Sequence, residues 1–369
     1  MIRTLIVEPA GGLWGSERAL LDLIEAMPHL EIAVCCPPRT RLEAELKRRG
    51  ARVFPYFIAG LHQKPRLRRL KAAVGVLRAC LAFRPDVIHL NQSGAYRVAL
   101  PAATLLGLPV IGHVRIFEDA AYLARQNPDP RRLKGLIAIS RAIEEEILSF
   151  PSLSVPVHQI YDAYDAAPPE EGTGIERVRG RIACVGRVVP IKNQELLLEA
   201  LTLMQACSSE VECLIVGDGA ADYVGRLQRR ATRDGSVRVE WPGFVDEVTQ
   251  LLRTCQVLVC PSHREPLGRV VLEAWDAGAV PVVFSGSGGA AEIVAAANGG
   301  ILYDEQRPES LAAALHDAMS LDQSRVEELV DNGRSWMARN CNLRKAGDTV
   351  SKVLSEAGVP RTHSPTRIG

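Results

Sequence analysis

The chain has 369 residues, of which 47% are apolar and 24% are charged, with a formal net charge of +1. This length predicts two domains of roughly 150 to 200 residues each. The near-neutral charge excludes a general attraction to nucleic acid, and no apolar run reaches the roughly 18 to 20 residues that span a bilayer. The first residues indicate a strand followed by glycines, not a leader peptide, so we expect a cytoplasmic protein.

Nine cysteines are scattered through apolar runs such as IAVCCPP, VECLIV and QVLVCPS. The sequence has no CxxC pair and no His/Cys spacing typical of a metal site. We therefore expect reduced cysteines in the core of a cytoplasmic protein and no bound metal.

An apolar run, a turn and a stretch with helical spacing alternate along both halves of the chain. The apolar runs of the first half include RTLIV, LEIAVCC, PDVIHL and LPVIGHV, and those of the second include RIACV, VECLIV, QVLVC and VPVVF. Continuous apolar strands that alternate with helices predict parallel sheets covered on both faces. The predicted fold class is therefore α/β, with two doubly wound, Rossmann-like domains that face each other across a cleft.

Proline, glycine and acidic residues replace the apolar periodicity at 165–174. We predict an N-terminal domain over 1–164, this linker, and a C-terminal domain over 175–357. Residues 358–369 are polar with two prolines and are predicted to form a disordered tail. Because ligands of open parallel sheets bind at the carboxyl ends of the strands, the loops that follow the strands are the candidate sites.

The first such loop, AGGLWGSER, contains glycines at positions 11, 12 and 15. A dinucleotide fingerprint would need glycine where the chain has Ala10, and no acid follows at the required spacing, which disfavours a dehydrogenase. Two interpretations stay open. The loop is either a tight turn capped by Ser16, or a site where the amides of the helix that opens near Ser16 and Glu17 approach an anion.

The loop GRVVPIKN follows the first strand of the second half. Gly186 ends that strand, and Arg187 and Lys192 precede the next helix. A helix dipole disfavours cations at this end, and a bound anion would offset the repulsion. Arginine offers a bidentate fork and lysine a point charge, which together suit a diphosphate. The alternative is a pair of solvated basic side chains.

The stretch HREPLGRVVLEAWDAG predicts a helix from about Leu267 to Ala277, closed by a glycine. Its first amides form an anion site, and Gly268 allows a ligand to lie close to the backbone. Glu265 precedes those amides, and Glu273 lies on the helix up to ~12 Å away by helical rise. Carboxylates this far apart do not share a proton. They are placed to bind the two ends of an elongated ligand, such as the hexose and the ribose of a nucleotide sugar.

Together with GSER, PDVIH, AIS, LIVGDG, WPGFVDEV and GGAAEIV, these segments resemble the retaining glycosyltransferases of family four. The resemblance covers nearly the whole chain and implies the GT-B architecture, with an acceptor-binding first domain and a nucleotide-sugar-binding second domain. It implies transfer of a hexose from a nucleoside-diphosphate sugar to a hydroxyl of a glycan or lipid-linked glycan, with retention of configuration. It implies no cofactor and no metal, and the sequence contains no DxD.

The resemblance also implies a role for each candidate residue. Glu273 would bind the ribose hydroxyls and Glu265 the transferred sugar. Arg187 and Lys192 would neutralise the diphosphate and stabilise the charge that grows on it as it leaves. His113 in PVIGHVR matches a histidine that follows a strand of the N-terminal domain and lies beside the reacting sugar. The other implied donor-binding positions are Gly12, Gly186, Gly243, Phe244, Val245, Leu267 and Gly268.

The chain departs from the family pattern at two places. Asn91 replaces a second histidine after PDVIH, and Asp162-Ala163 replaces an Asn-Gly before the hinge. Neither departure touches the residues assigned to the diphosphate. Both bear on the acceptor side and on the interdomain turn.

Segment 62–84 predicts a basic amphipathic helix without an acidic residue. Its basic residues are Lys64, Arg66, Arg68, Arg69, Lys71, Arg78 and Arg84. Its apolar residues fall on one face and are Leu67, Leu70, Val74, Leu77 and Leu81. Either the apolar face packs on the sheet and the basic face is solvated, or the helix contacts an anionic membrane that carries a lipid-linked acceptor. The second interpretation places the protein at the inner face of the membrane.

Two other functions stay open at this point. A nucleotide-sugar epimerase would use the same architecture, and a catalytically silent subunit would bind a nucleotide sugar without turning it over. The products separate the three. A transferase releases a nucleoside diphosphate and a glycosylated product, an epimerase gives an isomeric sugar nucleotide, and a silent subunit gives neither.

Overall fold

The computed structural model describes residues 1–56, 66–166, 176–205, 211–233 and 238–358. Two compact units make up the chain. The N-terminal unit contains Met1–Ala163 and the helix that begins at Leu343, and the C-terminal unit contains Tyr164–Asn342. Each unit is built on one parallel sheet flanked by helices, so the predicted α/β class with two doubly wound domains is confirmed.

Seven parallel strands form the sheet of the N-terminal unit, in the order β3-β2-β1-β4-β5-β6-β7. The strands are β1 (Arg3–Val7), β2 (Glu31–Cys36), β3 (Arg52–Pro55), β4 (Val87–Leu90), β5 (Val110–Val114), β6 (Leu133–Ala138) and β7 (Val157–Gln159). The helices that follow them are α1 (Gly15–Glu25), α2 (Arg41–Arg48), α3 (Arg66–Phe83), α4 (Tyr96–Leu106), α5 (Phe117–Gln126) and α6 (Arg141–Leu148). Every residue of β4 and β5 is buried, as expected for strands covered on both faces.

Six parallel strands form the sheet of the C-terminal unit, in the order β10-β9-β8-β11-β12-β13. The strands are β8 (Arg181–Val185), β9 (Glu212–Val216), β10 (Arg238–Gly243), β11 (Val257–Cys260), β12 (Val280–Phe284) and β13 (Ile301–Tyr303). The helices are α7 (Gln194–Gln205), α8 (Ala221–Arg233), α9 (Val248–Arg253), α10 (Arg269–Ala277), α11 (Gly289–Ala297), α12 (Pro308–Met319) and α13 (Gln323–Asn340).

Both sheets reverse their strand order next to the first strand of the unit. The reversal lies between β1 and β4 in the N-terminal unit and between β8 and β11 in the C-terminal unit. At such a switch point the loops leave in opposite directions and open a crevice at the carboxyl ends of the strands. The two crevices therefore follow Val7 and Leu90 in one unit, and Val185 and Cys260 in the other.

The last helix, α14 (Leu343–Gly358), packs on the N-terminal unit. Its buried residues Ala346, Val350, Val353 and Leu354 share a core with Leu23, Met27, Ile111 and Ile137. Gly347 allows the close approach, because a Cβ there would lie 2.1 Å from the carbonyl oxygen of Ala26. The predicted C-terminal domain over 175–357 is therefore wrong at its far end. Apolar residues at helical spacing identify a helix but not the sheet that it covers.

Of the two interpretations of the apolar face of α3, the one that packs it on the sheet is wrong. Of the apolar residues assigned to it, Leu70, Val74 and Leu81 are 60%, 37% and 57% exposed. The buried face instead consists of Ala72, Ala73, Val76, Ala79, Cys80 and Phe83. Small side chains on this face allow α3 to lie close to the sheet, and the larger leucines are left on the outside.

Parts of three predictions fall outside the described residues: most of the linker at 165–174, the tail beyond Gly358, and residues 62–65 of the basic segment. Across the described ranges, none of the helices combines the length and the apolarity needed to cross a membrane.

Candidate active site

An ion pair spans the switch point of the C-terminal unit. Lys192 ends a short 3-10 turn between β8 and α7, and Glu265 lies in the loop between β11 and α10. The Lys192 ammonium donates a hydrogen bond to Glu265 Oε2, and the Ser262 hydroxyl donates to the same oxygen at 3.1 Å. Two loops that are 73 residues apart in sequence therefore meet through one carboxylate oxygen.

The Glu265 carboxylate keeps Lys192 charged. Burial is the largest single effect and lowers the pKa of Lys192, but the charge and hydrogen bond of Glu265, together with the neighbouring Cys260 and Cys184, raise the pKa overall. The Lys192 side chain is still 22% exposed. It is therefore a fixed cation that an anionic ligand can reach.

Arg187 differs from Lys192 in its exposure. Its side chain is exposed, and its carbonyl oxygen accepts a hydrogen bond from Gln194 Nε2 at 3.0 Å. The predicted position of both cations between β8 and the next helix is confirmed. One cation is held by a carboxylate and the other extends from the strand end into solvent.

Glycines bring the ends of neighbouring strands close together. Gly186 follows β8 and Gly217 follows β9, with φ values of +145° and +132°. A Cβ on Gly217 would lie 2.0 Å from the Gly186 carbonyl oxygen, so only glycine fits there.

Gly243 ends β10, and half-buried Phe244 and Val245 follow it. Because three strand spacings separate β10 from β11, this end lies roughly 14 Å from the Glu265 loop, a span suited to an extended ligand.

The loop before α10 packs on the start of α11. Glu265 N donates to the Ser287 carbonyl oxygen at 2.6 Å, and a Cβ on Gly268 would lie 2.6 Å from Ala290 Cβ. Gly268 has a φ of +79°, so α10 begins at Arg269 and not at Leu267 as predicted. The helix still ends at Ala277 before a glycine cap, as predicted. Leu267 itself is 3% exposed.

Glu273 lies on α10 with partners of its own. Its Oε1 is 3.8 Å from Arg269 Nε, one helical turn earlier. The Arg269 guanidinium stacks 5.0 Å from the centre of the Tyr164 ring, and the Tyr164 hydroxyl donates to Asp276 at 3.1 Å. Glu265 and Glu273 thus contact different cations, as expected for carboxylates that do not share a proton.

A buried carboxylate occupies the switch point of the N-terminal unit. Glu8, the first residue beyond β1, accepts hydrogen bonds from Asn91 Nδ2, from Gln92 Nε2 at 2.9 Å and from the Ala10 amide at 2.6 Å. Burial, followed by the charge of Glu17, raises the pKa of Glu8 to about 8, although the hydrogen bond from Asn91 offsets part of the rise. Sequence reasoning missed Glu8, although its place directly after the first strand was a usable signal.

Arg115, the first residue beyond β5, joins the two departures from the family pattern. Its Nε donates to the Asn91 carbonyl oxygen at 3.0 Å and to Asn91 Oδ1 at 3.1 Å, and its Nη1 donates to Asp162. The ion pair with Asp162 is almost fully buried. Sequence reasoning treated Asn91 and Asp162 as separate and missed Arg115. The available signal was that Asn91 and Asp162 both depart from the family pattern and that Arg115 directly follows a strand.

The prediction that His113 follows a strand is wrong, because β5 extends to Val114. His113 lies inside the strand with 2% exposure, and its Nδ1 is 3.3 Å from Nε2 of His89 on β4. Burial lowers the pKa of both imidazoles, that of His89 to about 3. Both rings are therefore neutral at physiological pH and belong to the core of the sheet.

The loop after β1 is a tight turn, but Ser16 does not cap it. Trp14 is the capping residue of α1, and its amide donates to the Glu17 carboxylate at 3.0 Å. A Cβ on Gly12 would lie 2.7 Å from Trp14 Cδ1, so the ring covers this glycine. A carboxylate of the chain therefore already partners the start of α1. A donor-binding role for Gly12 stays a prediction.

Two family models match most of the chain. The model of glycosyl transferases group 1 matches residues 172–336, and the model of the glycosyl transferase 4-like domain matches residues 15–161. The boundary between the matches falls at the boundary between the two structural units.

The curated relatives that match this chain are distant in sequence. A D-inositol 3-phosphate glycosyltransferase of Segniliparus rotundus is 23% identical over 297 residues, which cover 72% of this chain and 65% of the relative. The chain thus spans less than two thirds of that relative's length. A GDP-mannose-dependent alpha-(1-6)-phosphatidylinositol monomannoside mannosyltransferase of Mycolicibacterium smegmatis is 29% identical over 184 residues, which cover 47% of each protein.

The fold matches that of solved glycosyltransferases. Anabaena HepE in complex with UDP-glucose aligns with a TM-score of 0.82 and 21% identity, over 96% of this chain and 100% of HepE. The predicted GT-B fold is thereby confirmed. With the two family models on its two units, the chain belongs to the glycosyltransferases of family four.

Proposed function

We propose that this chain transfers a hexose from a nucleoside-diphosphate sugar to a hydroxyl of a glycan or lipid-linked glycan, with retention of configuration and without a metal. The observation that carries the proposal is the Lys192–Glu265 ion pair across the switch point of the C-terminal unit. A switch point is where open parallel sheets bind ligands. The fixed cation can bind a diphosphate, and the adjacent carboxylate can bind the hydroxyls of the sugar that is joined to it.

The chemistry follows from the partners of each group. As the bond between sugar and phosphate breaks, negative charge grows on the leaving diphosphate, and Lys192 and the exposed Arg187 stabilise it. Glu265 binds Lys192 and Ser262 through Oε2, which leaves Oε1 to accept a hydrogen bond from a sugar hydroxyl. We assign no covalent nucleophile, since a retaining glycosidase needs a close carboxylate pair.

The rest of the donor is assigned along the same sheet edge. Glu273 is proposed to bind the ribose, and the segment Gly243, Phe244 and Val245 to lie along the base. Gly186 and the amides of Leu267 and Gly268 are proposed to lie against the diphosphate and the sugar. A role for His113 beside the reacting sugar stays a prediction, since its ring is buried and contacts His89 on β4.

The comparisons support this assignment of donor and acceptor class. HepE is similar to this chain and holds UDP-glucose, and the similar mannosyltransferase depends on GDP-mannose. The names of both curated relatives include inositol, as D-inositol 3-phosphate in one and within phosphatidylinositol in the other. Uridine and guanosine diphosphate sugars are therefore the first donors to test. A lipid-linked acceptor would bring the chain to a membrane, so peripheral contact through 62–84 is part of the proposal.

A turnover assay tests the proposal. Purified protein is incubated with UDP-glucose or GDP-mannose and a panel of glycan and glycolipid acceptors, with and without EDTA. We expect free nucleoside diphosphate and a product whose anomeric configuration, read by NMR, equals that of the donor sugar. EDTA should not change the rate. Lys192→Ala should lower turnover by about a hundredfold or more, and substitution of Lys352, an exposed lysine on α14, by alanine should leave it unchanged.

The products also separate the competing functions. An isomeric sugar nucleotide would identify an epimerase. Binding of the sugar nucleotide without any product would identify a silent subunit. A product of inverted configuration would contradict retention while leaving glycosyl transfer intact.

A further inference from the structure

An apolar stripe lies on the solvent side of α3. Leu70, Val74, Leu77 and Leu81 are spaced four, three and four residues apart, which places them on one helix face. Leu70 and Leu81 are 60% and 57% exposed, and Leu77 is half-buried. The stripe runs for about 16 Å along the helix. Leucines this exposed and this regularly spaced form a continuous surface, unlike a single exposed side chain.

The neighbouring helix α4 extends this surface. It packs against α3 and exposes Leu105 and Leu106 near its end. Because α3 and α4 each lead into a parallel strand, β4 and β5, both helices end at the same edge of the sheet. Leu81 of α3 and the two leucines of α4 therefore lie at that same edge. These two helices carry five of the eleven large hydrophobic residues that are exposed in the described part of the chain.

Basic residues flank the stripe. They are exposed on or next to α3 and α4, at Arg69, Lys71, Arg78, Arg84 and Arg97. The sequence from 66 to 106 contains one acid, Asp86, which is half-buried and accepts a hydrogen bond from the Arg3 amide at 2.8 Å. The surface is therefore apolar along its middle and positively charged at its sides.

We propose that this surface, formed by Leu70, Val74, Leu77 and Leu81 of α3 with Leu105 and Leu106 of α4, binds an anionic lipid bilayer. The leucines enter the boundary between headgroups and acyl chains, and Lys71, Arg78 and the other basic residues contact lipid phosphates. A second copy of the chain fits less well, because two such surfaces would bring like charges together. The inference deepens the proposed function by naming the residues that meet the membrane.

The test measures binding to vesicles by sedimentation. The full chain is mixed, at low and at high salt, with vesicles of phosphatidylcholine alone or with vesicles that also contain about 30% phosphatidylserine. Anionic lipid at this level attracts basic segments. We expect binding to the anionic vesicles at low salt, at least about tenfold weaker binding to neutral ones, and loss at high salt.

Two variants and two matched controls assign the binding to this surface. Leu70→Ser with Leu81→Ser, and Lys71→Glu with Arg78→Glu, should each weaken binding at least about tenfold. Neither pair touches the core, since all four side chains are exposed. Leu203→Ser on α7 and Lys352→Glu on α14 change residues that are also exposed but lie elsewhere, and they should leave binding unchanged.

Three outcomes would overturn the proposal. The first is no binding to anionic vesicles at low salt, and the second is equal weakening by the control variants. The third is self-association of the wild type that the leucine variant abolishes, with no lipid binding, which would identify a protein contact. Titration with UDP and GDP on the same samples separates this failure from a failure of the proposed function, because donor binding needs no membrane.

Discussion

The two switch points share one strand order and differ in chemistry. In the N-terminal unit Glu8 meets Asn91 across β1 and β4, and in the C-terminal unit Lys192 meets Glu265 across β8 and β11. Glu8 is fully buried and takes its hydrogen bonds from the chain itself. The C-terminal pair is partly exposed, and exposed Arg187 lies on the same loop.

This difference shows that the strand order determines where a crevice forms and that the side chains determine which ligand it can bind. The order places a crevice in each unit. In the N-terminal crevice a diphosphate would meet the buried carboxyl groups of Glu8 and Glu17, and the buried Arg115 there already donates to Asn91 and Asp162. Next to Lys192 and Arg187 it would meet two cations. This difference in charge supports the proposed assignment of the donor to the C-terminal unit and of the acceptor to the N-terminal crevice.

The largest effect is expected from breaking the network of Arg115, Asn91 and Asp162 in the N-terminal unit. Asp162→Ala leaves Arg115 buried without its carboxylate, which should lower the free energy of unfolding by about 3 to 5 kcal/mol. Urea denaturation followed by fluorescence measures it. Asp331→Ala, which removes the exposed partner of Arg334, is the control and should change stability by less than about 0.5 kcal/mol. Equal effects of the two variants would show that the buried network does not stabilise the unit.

The next effect concerns catalysis by the C-terminal pair. Lys192→Ala removes the fixed cation and should lower kcat/KM by about a hundredfold to a thousandfold, the size expected when one charge-stabilising group is lost. Steady-state release of nucleoside diphosphate measures it. Lys192→Arg retains the charge and should recover part of the activity. If Lys192→Arg were as inactive as Lys192→Ala, the position would depend on shape and not on charge.

A backbone change at the Glu265 loop should have an intermediate effect. Gly268→Ala introduces a Cβ at a φ of +79° and 2.6 Å from Ala290 Cβ, which should destabilise the protein by roughly 1 to 3 kcal/mol. Thermal unfolding measures it. Gly225→Ala, inside α8 where glycine is unfavourable, should stabilise by up to about 1 kcal/mol. The same sign for both variants would remove the argument for close packing at this loop.

The smallest effect is a dependence of stability on pH. The pKa of Glu8 is raised to about 8 in the folded state, so the folded state holds a proton that the unfolded state has released. Stability from this group is complete below pH 4.5 and falls as pH rises to 8, by roughly 1.5 kcal/mol between pH 6.5 and 8. The pKa of Asp119, raised by burial to about 7, acts in the same direction.

Histidines do not obscure this window. The pKa values of His89 and His113 are lowered by burial, so their linkage raises stability with pH only up to about pH 6.5. Urea midpoints of wild type and Glu8→Gln at several pH values measure the effect. The variant should lose the larger part of the decline. A decline of equal size in both proteins would assign it to other groups.

Local patterns in the sequence determined more of the C-terminal site than of the N-terminal one. Arg187, Lys192, Glu265 and Gly268 lie in loops directly after strands, and a strand followed by a helix is readable from the spacing of apolar residues. Arg115 contacts Asn91 and Asp162, which are 24 and 47 residues away. No local pattern encodes such a network. It depends on which strands become neighbours.

Helix faces were the other source of error. The pattern on α3 defined an apolar face correctly, but hydrophobicity favoured its leucines over the alanines that are buried. Close packing depends on shape as well as on transfer free energy, and the small side chains of Ala72 and Ala79 are the ones that are buried. The position of α14 has the same cause, since its apolar face fits either sheet by pattern alone.

Calorimetric titration with UDP, GDP and ADP tests the central claim most directly. It compares wild type with Arg187→Ala, Lys192→Ala and the control Lys352→Ala. The account predicts that at least one diphosphate binds the wild type and the control equally, that Arg187→Ala weakens it about tenfold, and that Lys192→Ala weakens it further. If no diphosphate binds, or if it binds Lys192→Ala as tightly as wild type, the assignment of the donor to the switch point of the C-terminal unit is wrong.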